Sequence, residues 1–497
     1  MTRPTPPTPF DVEVDQLVPR LMDGAHEMTP AFFEQLRAIA PTSIDGEDLA
    51  EHGRDWWPIA IGWAAAGQVP ALAGVIVRPE TAEQVAQVLQ VCNDARVPVT
   101  PMAGRSGVCG GSIPLRGGVA LDLCELNKVH EVDEISETVT VDAGMFGPDL
   151  EAHLAGVGPG YSVGHFPQSF DLSTVGGWLA CRGAGQYSTR YGKIEDMVVT
   201  LTVALPDGRL IDTAGTAPRS ATGPSLTQLF VGSEGTLGVI TSATLKLHRK
   251  ATAEARRVVS FATFDEGLEA CRRILQRGAT PAVLRLYDEI ESKRSFEVDS
   301  NVLIVLDEAD PHLLAATMAI VDEELSGATT EDLAHVDHWL GHRNNVSQLA
   351  PLWRNHVVVD TIEISGSWKD LSLTTQRLLT TLRETPGTMT ASVHQSHAYA
   401  DGACCYFTFV GRPTAQDGDN QLEAEANYYQ RVWDAANACI ISEGRAVSHH
   451  HGVGLHRAGA LVASLGSAHG VLQQVKDALD PNGIMNPGKL GFSEVAQ

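Results

Sequence analysis

The pattern of apolar positions changes character along the chain. The short apolar run GVIV predicts a buried strand, and residues 81–84, TAEQ, form a capping box that predicts the start of a helix. Val85, Val88, Leu89 and Cys92 then recur at helical spacing, which gives this helix one apolar face. The next apolar run, PVTPM, predicts another strand. This order of strand, helix and strand is typical of a parallel βαβ unit.

Strand-like runs follow as far as residue 248. GVALDL, TVTVDAG, VVTLTVAL, RLIDT and GVITSATLKLH run apolar or alternate, and PDG marks a turn. Beyond residue 249, the helical patterns FDEGLEACRRILQRG and HLLAATMAIVDEEL alternate with the strands AVLRLYD, NVLIVLDE and CCYFTFVG. The pattern therefore predicts an α+β protein with two domains and two flanking segments. Their predicted bounds are 1–44, 45–248, 249–445 and 446–497, the last segment returning to the first domain.

Composition narrows the possible function classes. The chain has 36 Lys and Arg against 61 Asp and Glu, a net charge of −25 that disfavours binding to nucleic acid or anionic lipid. No run of about 20 apolar residues is present to span a bilayer. The 8 cysteines form no CxxC pair, which indicates reduced thiols. We therefore expect a cytoplasmic protein with no transmembrane segment and no nucleic-acid partner.

The chain contains 47 glycines, and they are concentrated between Gly104 and Gly238. The loop at 101–114, PMAGRSGVCGGSIP, joins two predicted strands, and its glycines allow successive backbone N–H groups to point into one concavity that grips a pyrophosphate. An ordinary surface loop is the alternative interpretation. GVGPG at 156–160 lacks the GxGxxG spacing, and GIMNPGKL at 483–490 lacks the Ser or Thr of a P-loop, so neither familiar nucleotide motif is predicted.

Three strings together resemble a known superfamily. PMAGRSGVCGG, DLSTVGG…RYGKIEDMV…LPDG and GSEGTLGVIT are similar in order and spacing to the FAD-binding domain of the vanillyl-alcohol oxidase / para-cresol methylhydroxylase flavoproteins. GHFPQSFDLSTVGGW, LRLYD, SHAYADGACCYF and SHHHGVG further resemble the alkyldihydroxyacetonephosphate synthases within it. The resemblance covers about residues 70 to 490. It implies a two-subdomain FAD-binding domain and an α/β substrate-binding cap.

The resemblance also implies which residues bind the cofactor. Those of the first loop would hold the FAD diphosphate, the second group would run beside the flavin and ribityl chain, and the third would contact adenine or the ring edge. These residues are Pro101, Gly104, Arg105, Ser106 and Gly107, then Asp171, Ser173, Thr174, Gly176 and Gly177, then Glu234, Gly235 and Ile240. No histidine occupies residues 101–114, so we expect noncovalent FAD.

The catalytic residues that the resemblance implies are fewer. Tyr406 and the histidines would transfer protons, the arginines would hold an anionic substrate, and one histidine would lie near the flavin ring. They are Tyr406, His450 and, second to it, His451, then Arg285 and Arg354, then His165, with His397 as a weaker candidate. The alternatives are a core position for the tyrosine, surface ion pairs for the arginines and a solvated run for the histidines.

A metal site is not predicted. The three adjacent histidines at 449–451 cannot all turn to one ion, and no Asp or Glu at helical spacing completes a ligand set.

The resemblance implies two reactions. In the first, the acyl group of acyl-dihydroxyacetone phosphate is exchanged for a fatty alcohol through a flavin adduct, as in ether lipid biosynthesis. In the second, a D-2-hydroxyacid or similar alcohol passes a hydride to FAD and a histidine takes the proton. The string HxGDGNxH of many such dehydrogenases is absent, which favours the first reaction. A homodimer is expected, and a scaffold without chemistry is the non-enzymatic alternative.

Overall fold

The computed structural model describes residues 9–22, 26, 28–215, 217–347, 349–414 and 417–493. Its helices are α1 (Pro30–Ile39), α2 (Gly46–His52), α3 (Pro58–Ala65), α4 (Ala82–Ala95), α5 (Gly147–Ala155), α6 (Val175–Cys181), α7 (Ser188–Tyr191), α8 (Ile194–Met197), α9 (Leu226–Phe230), α10 (Phe264–Gln276), α11 (Glu289–Phe296), α12 (Pro311–Glu324), α13 (Ala334–His342), α14 (Leu349–Arg354), α15 (Trp368–Glu384), α16 (Gln421–Ser442), α17 (Ala458–Leu465) and α18 (Ser467–Leu479).

The strands form three main sheets and two short pairs. They are β1 (Val18–Pro19), β2 (Thr42–Ser43), β3 (Gln68–Val69), β4 (Val75–Val77), β5 (Val99–Met102), β6 (Val119–Asp122), β7 (Val129–Asp133), β8 (Thr138–Asp142), β9 (Tyr161–Ser162), β10 (Val198–Ala204), β11 (Leu210–Asp212), β12 (Val239–Lys246), β13 (His248–Arg249), β14 (Ala253–Phe261), β15 (Val283–Tyr287), β16 (Asn301–Ala309), β17 (Thr329–Thr330), β18 (Val358–Ser367), β19 (Thr388–Ala398) and β20 (Gly402–Gly411).

The first sheet has the order β2-β4-β6-β5, with β4, β6 and β5 parallel, as the βαβ pattern predicts. Helix α4 buries the predicted apolar face against it. Thr81 Oγ1 accepts from the Gln84 backbone N–H at 3.2 Å, but the Gln84 side chain accepts from the Glu80 N–H at 2.7 Å rather than from that of Thr81. The predicted capping box is therefore only half formed, because Gln84 reaches one residue further back.

The C-terminal segment lies along the edge of this sheet. The Val99 N–H donates to the Ile484 carbonyl at 2.8 Å, and the Asn486 N–H donates to the Val99 carbonyl at 2.8 Å. These bonds bring residues 484–486 beside β5, at the start of the 101–114 loop.

The second sheet is antiparallel, with the order β11-β10-β12-β8-β7. Helix α6 begins directly against it: the Gly176 N–H donates to the Ala143 carbonyl at 2.7 Å. A Cβ at Gly176 would lie 2.7 Å from the Ala143 Cβ, so a glycine is required for this close approach. Thr174 Oγ1 caps the helix by accepting from the Gly177 N–H at 3.4 Å.

The third sheet is antiparallel, with the order β17-β14-β16-β15-β19-β20-β18. Successive side chains on a strand point to opposite faces. Leu284, Leu286 and Phe407 belong to the core that α10, α12, α15 and α16 share with one face of this sheet. Arg285 and Tyr406 alternate with those residues and lie on the other face, where they line a cavity.

No helix of the described chain is long and apolar enough to cross a bilayer.

Candidate active site

A cavity of about 920 Å³ lies between the loops of the first half and the free face of the seven-stranded sheet. Its first side, called here the glycine wall, comprises the cavity-lining residues of three segments, 101–108, 165–177 and 233–240. Its second side, called the strand wall, is formed by Arg285, His394 and Tyr406 of β15, β19 and β20, together with His450 and His451.

The structure brings most of the predicted site residues to this cavity. The cavity-lining ones are Pro101, Gly104, Arg105, Ser106, Gly107, His165, Ser173, Thr174, Gly176, Gly177, Glu234, Gly235, Ile240, Arg285, His397, Tyr406, His450 and His451. Their roles remain predictions, but their proximity is a property of the fold.

Asp171 and Arg354 lie outside the cavity lining. The Asp171 side chain is exposed in a short 3₁₀ turn at Phe170–Leu172. Arg354 is the last residue of α14, and its guanidinium donates to Asp11 at 2.9 Å on the surface, where its side chain is 40% exposed. The surface ion pair that the sequence left open for this arginine is therefore what the structure has. It corrects the expectation that Arg354 reaches a substrate.

The glycine wall depends on close backbone packing. A Cβ at Gly104 would lie 2.1 Å from the Leu172 carbonyl oxygen, so any other residue there would force the two loops apart. Arg105 and Glu234 have φ values of 50° and 49°, in the left-handed region that residues other than glycine rarely adopt. Such backbone strain is typical of functional loops held by the surrounding fold.

The cavity fits an extended polar cofactor. Arg105 Nε, Ser112 Oγ and both ring nitrogens of His165 are buried, and none has a hydrogen-bond partner among the residues that the structure describes. Added Cβ atoms at Gly107 and Gly177 would meet no protein atom closer than 3.4 Å, so side chains there would occupy cavity space instead. Unpaired buried donors and an open cradle of glycines are what a bound pyrophosphate and flavin would satisfy.

His165 is fully buried against the Trp178 ring, with 4.7 Å between ring centroids. Burial, with a smaller contribution from Lys193, lowers the pKa of His165 to about 3, so the ring is neutral. A neutral imidazole carries one donor and one acceptor nitrogen.

Two buried carboxylates belong to this part of the molecule. Asp55 lies behind the glycine wall, and Glu234 is part of the wall. Burial raises the pKa of Asp55 to about 7, and its Oδ2 has no partner in the described chain. Glu234 accepts from the backbone N–H groups of Val453 and Gly454 at 2.6 and 2.7 Å. These two bonds attach the glycine wall to the segment that follows the histidine run.

Arg285 is fixed by side chains of the strand wall. Its Nε donates to the Tyr287 hydroxyl at 2.7 Å, and its Nη2 donates to His394 Nε2 at 2.6 Å. His394 Nδ1 in turn donates to Glu291 at 2.8 Å, since a carboxylate only accepts. Burial and Arg285 lower the pKa of His394, so the ring stays neutral between them. The sequence did not single out Glu291 or His394.

Tyr406 lines the cavity with a protonated phenol. Its hydroxyl donates to Thr361 Oγ1 at 2.8 Å. Its ring lies parallel to those of His394 and His450, with centroid distances of 4.9 and 6.0 Å. Burial raises the pKa of the Tyr406 phenol, which therefore keeps its proton at neutral pH.

His397, His449 and His450 converge, with ring nitrogens within 4.8 Å of one another. This set could ligate a metal ion, whereas the sequence pattern concerned only the adjacent histidines at 449–451. Burial lowers the pKa of all three imidazoles, and the nearby Lys193 ammonium lowers them further. Lys193 Nζ donates to the His449 carbonyl at 2.9 Å, and a fixed ammonium this close disfavours a cation. That no metal binds here stays a prediction.

Glu363 is a fully buried acid of β18 that the sequence analysis missed. It accepts from Arg457 Nη1 and Nη2 at 2.9 and 2.7 Å, from Ser448 Oγ at 2.8 Å and from the His451 backbone N–H at 3.0 Å. Burial alone would raise its pKa, but Arg457 holds the pKa of Glu363 well below its usual range. Its only sequence signal is an acid inside the apolar strand pattern TIEIS.

Arg343 lines the cavity, whereas Arg354 does not. Arg343 stands 5.0 Å from the Tyr187 ring and 5.4 Å from the Trp339 ring. Its Nη1 is buried and has no acceptor among the described residues. An aromatic surround with an unmatched guanidinium N–H is suited to an anionic group of a ligand.

Aliphatic side chains also line the cavity. They come from α3, from α14 and the residues before it, and from the strands β18 and β20, as follows: Ile61, Val346, Leu349, Leu352, Val359 and Val410.

Two family models match the chain. An FAD binding domain matches residues 73–214, and the C-terminal domain of FAD linked oxidases matches residues 250–490. An alkyldihydroxyacetonephosphate synthase of Dictyostelium discoideum is 29% identical over 512 residues, covering 93% of this chain and 80% of the relative. An uncharacterized FAD-linked oxidoreductase of Escherichia coli is 30% identical over 441 residues, covering 84% of this chain and 89% of the relative.

Solved structures share the fold. An alkyldihydroxyacetonephosphate synthase superposes with a TM-score of 0.78 at 24% identity, over 98% of this chain and 90% of that chain. p-Cresol methylhydroxylase with bound substrate superposes with a TM-score of 0.73 at 15% identity, over 95% and 99%. The family models and the sequence relatives show an FAD-dependent enzyme. The chain belongs to the FAD-linked oxidases, as the resemblance implied, and its fold is of the vanillyl-alcohol oxidase type, which confirms the predicted fold class.

Proposed function

We propose that this enzyme makes alkyl-dihydroxyacetone phosphate, the product for which its synthase relatives are named, by exchanging the acyl group of acyl-dihydroxyacetone phosphate for a fatty alcohol. The observation that carries the proposal is the mixed lining of the cavity. Arg285 and Arg343 line it, and so do the aliphatic side chains of Ile61, Leu349 and Val410. A substrate with a phosphate head and an acyl chain matches both kinds of lining, whereas a small hydroxyacid would leave the aliphatic part unfilled.

The strand wall supplies the binding and proton-transfer groups. Arg285 is held by Tyr287 and His394 through its Nε and Nη2 atoms. Its Nη1 makes no hydrogen bond among the described residues, so it can form charge-assisted hydrogen bonds to a phosphate. Tyr406 would donate a proton to the departing carboxylate, and a histidine of the 449–451 run would accept the proton of the incoming alcohol. The relative positions of these groups would decide the order of the two transfers.

The glycine wall would hold the cofactor. Backbone N–H groups of residues 104–107 would bind the diphosphate, with Arg105 beside it, and residues 173–177 would follow the ribityl chain. When bound, FAD supplies the electrophilic ring at which the substrate carbon reacts. We propose that FAD is noncovalent, because residues 101–114 contain no histidine. Homodimeric assembly and a cytoplasmic location remain predictions from the sequence.

The test is a product assay. FAD-loaded protein is incubated with palmitoyl-dihydroxyacetone phosphate and deuterated hexadecanol, and deuterated alkyl-dihydroxyacetone phosphate is measured by mass spectrometry. A parallel arm supplies D-2-hydroxyacids with a dye as electron acceptor. Alkyl product without dye reduction supports the proposal. Dye reduction without alkyl product would replace it with the oxidoreductase alternative.

A second arm tests the cofactor linkage. Acid precipitation should release the flavin into the supernatant. Yellow colour that stays in the pellet would contradict noncovalent binding.

A further inference from the structure

Arg285 lines the cavity and forms no ion pair with a carboxylate among the described residues. Its Nε donates to the Tyr287 hydroxyl at 2.7 Å, and its Nη2 donates to His394 Nε2 at 2.6 Å. The acid that ends this chain of contacts is Glu291, which accepts from His394 Nδ1 at 2.8 Å. The imidazole of His394 therefore lies between the buried acid and the guanidinium.

We propose that Glu291 and His394 are positioning residues that hold Arg285 in the cavity as an anion-binding group whose charge is not neutralised by the protein. Glu291 fixes the His394 ring, and the ring fixes the guanidinium by accepting a hydrogen bond from it. Because a neutral imidazole replaces a direct ion pair, Arg285 keeps its charge and the N–H groups of Nη1 for a ligand. The inference rests on the proposed function only for the identity of that ligand, a phosphate monoester.

The tautomer of His394 follows from the chemistry of its two partners. A guanidinium only donates, so Nε2 accepts and carries no proton, and a carboxylate only accepts, so Nδ1 carries the proton. Burial and Arg285 lower the pKa of His394. Burial alone would raise the pKa of Glu291, but His394 and the other donors around the carboxylate lower it to about 2. At neutral pH the pair is therefore an imidazole and a carboxylate.

Glu291 is itself held in place, so it can orient the ring. Its Oε1 accepts from the Ser392 hydroxyl at 3.0 Å. The Asp288 side chain accepts from the Glu291 backbone N–H at 2.8 Å and from the Val393 N–H at 3.0 Å. These bonds join the first turn of α11 to β19, the strand that carries His394. The acid and the histidine are thus fixed to each other through the backbone as well as through their side chains.

The groups around the His394 ring favour its neutral form. Among the described residues, the titratable ones are Arg285, Tyr287, Glu291, Arg294, His397 and Tyr406. Burial raises the pKa of both phenols, so neither carries a charge at neutral pH. The two arginines disfavour an imidazolium, and Glu291 alone favours one. A protonated ring could not accept from Arg285, so the hold on the guanidinium requires the neutral form.

The test measures anion binding to the FAD-loaded protein by isothermal titration calorimetry, so it does not depend on turnover. The probe is glycerol 3-phosphate, which has a phosphate but no acyl group, and a parallel titration uses D-lactate as a carboxylate. Arg285→Ala gives the affinity without the guanidinium. His394→Phe keeps an aromatic ring and removes the acceptor, so the dissociation constant should rise by about 10-fold or more. Glu291→Gln should raise it less, because the Gln oxygen can still accept from Nδ1.

A rescue variant separates the hydrogen bond from the packing of the ring. In His394→Gln, the amide oxygen can accept from Arg285 while the amide nitrogen donates to Glu291, so affinity should return toward that of the wild type. Glu289→Gln is the matched control, because Glu289 is an exposed acid of the same helix and should not affect binding. If His394→Phe does not fold because the Glu291 charge is left unpaired, the double variant with Glu291→Gln removes that charge and carries the same expectation.

The tautomer is measured in two-bond ¹H–¹⁵N spectra of ¹⁵N-histidine-labelled, FAD-loaded protein. The His394 signal is assigned by its loss in His394→Gln, and it should show a proton on Nδ1.

An Nε2–H tautomer in the wild type would overturn the inference. It would also be overturned if His394→Phe bound the anion as tightly as the wild type, if His394→Gln bound it as weakly as His394→Phe, or if Arg285→Ala kept wild-type affinity for both probes. Failure of the proposed function would be different. In that case no alkyl product forms, or D-lactate binds through Arg285 and glycerol 3-phosphate does not, while the His394 variants still weaken anion binding.

Discussion

Two buried carboxylates on opposite sides of the cavity, Asp55 and Glu363, are in opposite states. Behind the glycine wall, Asp55 has an oxygen without a partner, and burial raises its pKa to about 7. At the strand wall, Glu363 receives hydrogen bonds from Arg457, Ser448 and His451, and its pKa stays well below the usual range. The difference indicates a division between the two walls. The glycine wall presents mainly backbone groups to the cavity, whereas the strand wall presents side chains that are fixed by hydrogen bonds.

The largest expected effect comes from placing a larger side chain at Gly104 in the glycine wall. In Gly104→Val, the new side chain would meet the Leu172 carbonyl, because even a Cβ would approach it to 2.1 Å. We expect loss of bound flavin, measured as the ratio of absorbance at 450 and 280 nm after gel filtration. Gly215→Ala is the control, since its Cβ would meet nothing within 4 Å. A Gly104→Val protein that stays yellow would contradict a wall built on backbone contact.

The next effect tests the strand wall. Tyr406→Phe removes the hydroxyl that donates to Thr361 and keeps the ring against His394. We expect kcat to fall by about 10²- to 10⁴-fold, as for a lost general acid, while flavin content stays at the wild-type level. An unchanged kcat would show that Tyr406 only packs against its neighbours and transfers no proton.

A pair of arginine substitutions gives a smaller, contrasting effect. Arg285→Lys keeps the charge but cannot bond Tyr287 and His394 while also binding an anion with a two-pronged fork. We expect KM to rise by about 10-fold or more, with kcat less affected. Arg354→Lys on the surface should leave KM within error, because its contact is the exposed Asp11. Equal effects at both positions would remove the distinction between cavity and surface arginines.

The smallest expected effect is on the pH dependence of the free energy of unfolding, through Asp55 behind the glycine wall. Burial raises the pKa of folded Asp55 to about 7 from an ordinary 3.8, so between those values the folded protein binds a proton that the unfolded chain releases. The free energy of unfolding should therefore fall as pH rises through this window, by at most about 4 kcal/mol from this group. Asp55→Asn should flatten that decline in urea titrations between pH 4 and 8. A decline of wild-type steepness in the variant would show that Asp55 is not its cause.

The same division explains how much of the site could be predicted from the sequence. The glycine wall uses short loops whose glycines are adjacent along the chain, so its motifs are visible in one dimension. The strand wall joins residues far apart: Glu363 and His451 are separated by 88 positions. A buried acid has no local signature beyond its interruption of an apolar run, and the partner that neutralises it cannot be read from the run itself.

The helices show a similar limit. The apolar spacing of α4, α10 and α12 predicted them, but α15 was not recognised, because Thr374 and Thr375 occupy buried positions on its inner face. Helix α17 was missed for the opposite reason. Its sequence, AGALVASL, is almost uniformly apolar yet has no buried residue, so no periodic face marks it.

The position of the C-terminal segment has a consequence for biosynthesis. The carbonyl of Ile484 completes the edge at Val99, and Val453 and Gly454 bind Glu234. A ribosome delivers the first sheet hundreds of codons before these partners, and contacts between distant parts of a chain form slowly. The flavin pocket can therefore be completed only after residue 486 has emerged, and a nascent chain must persist until then with its cofactor cradle open.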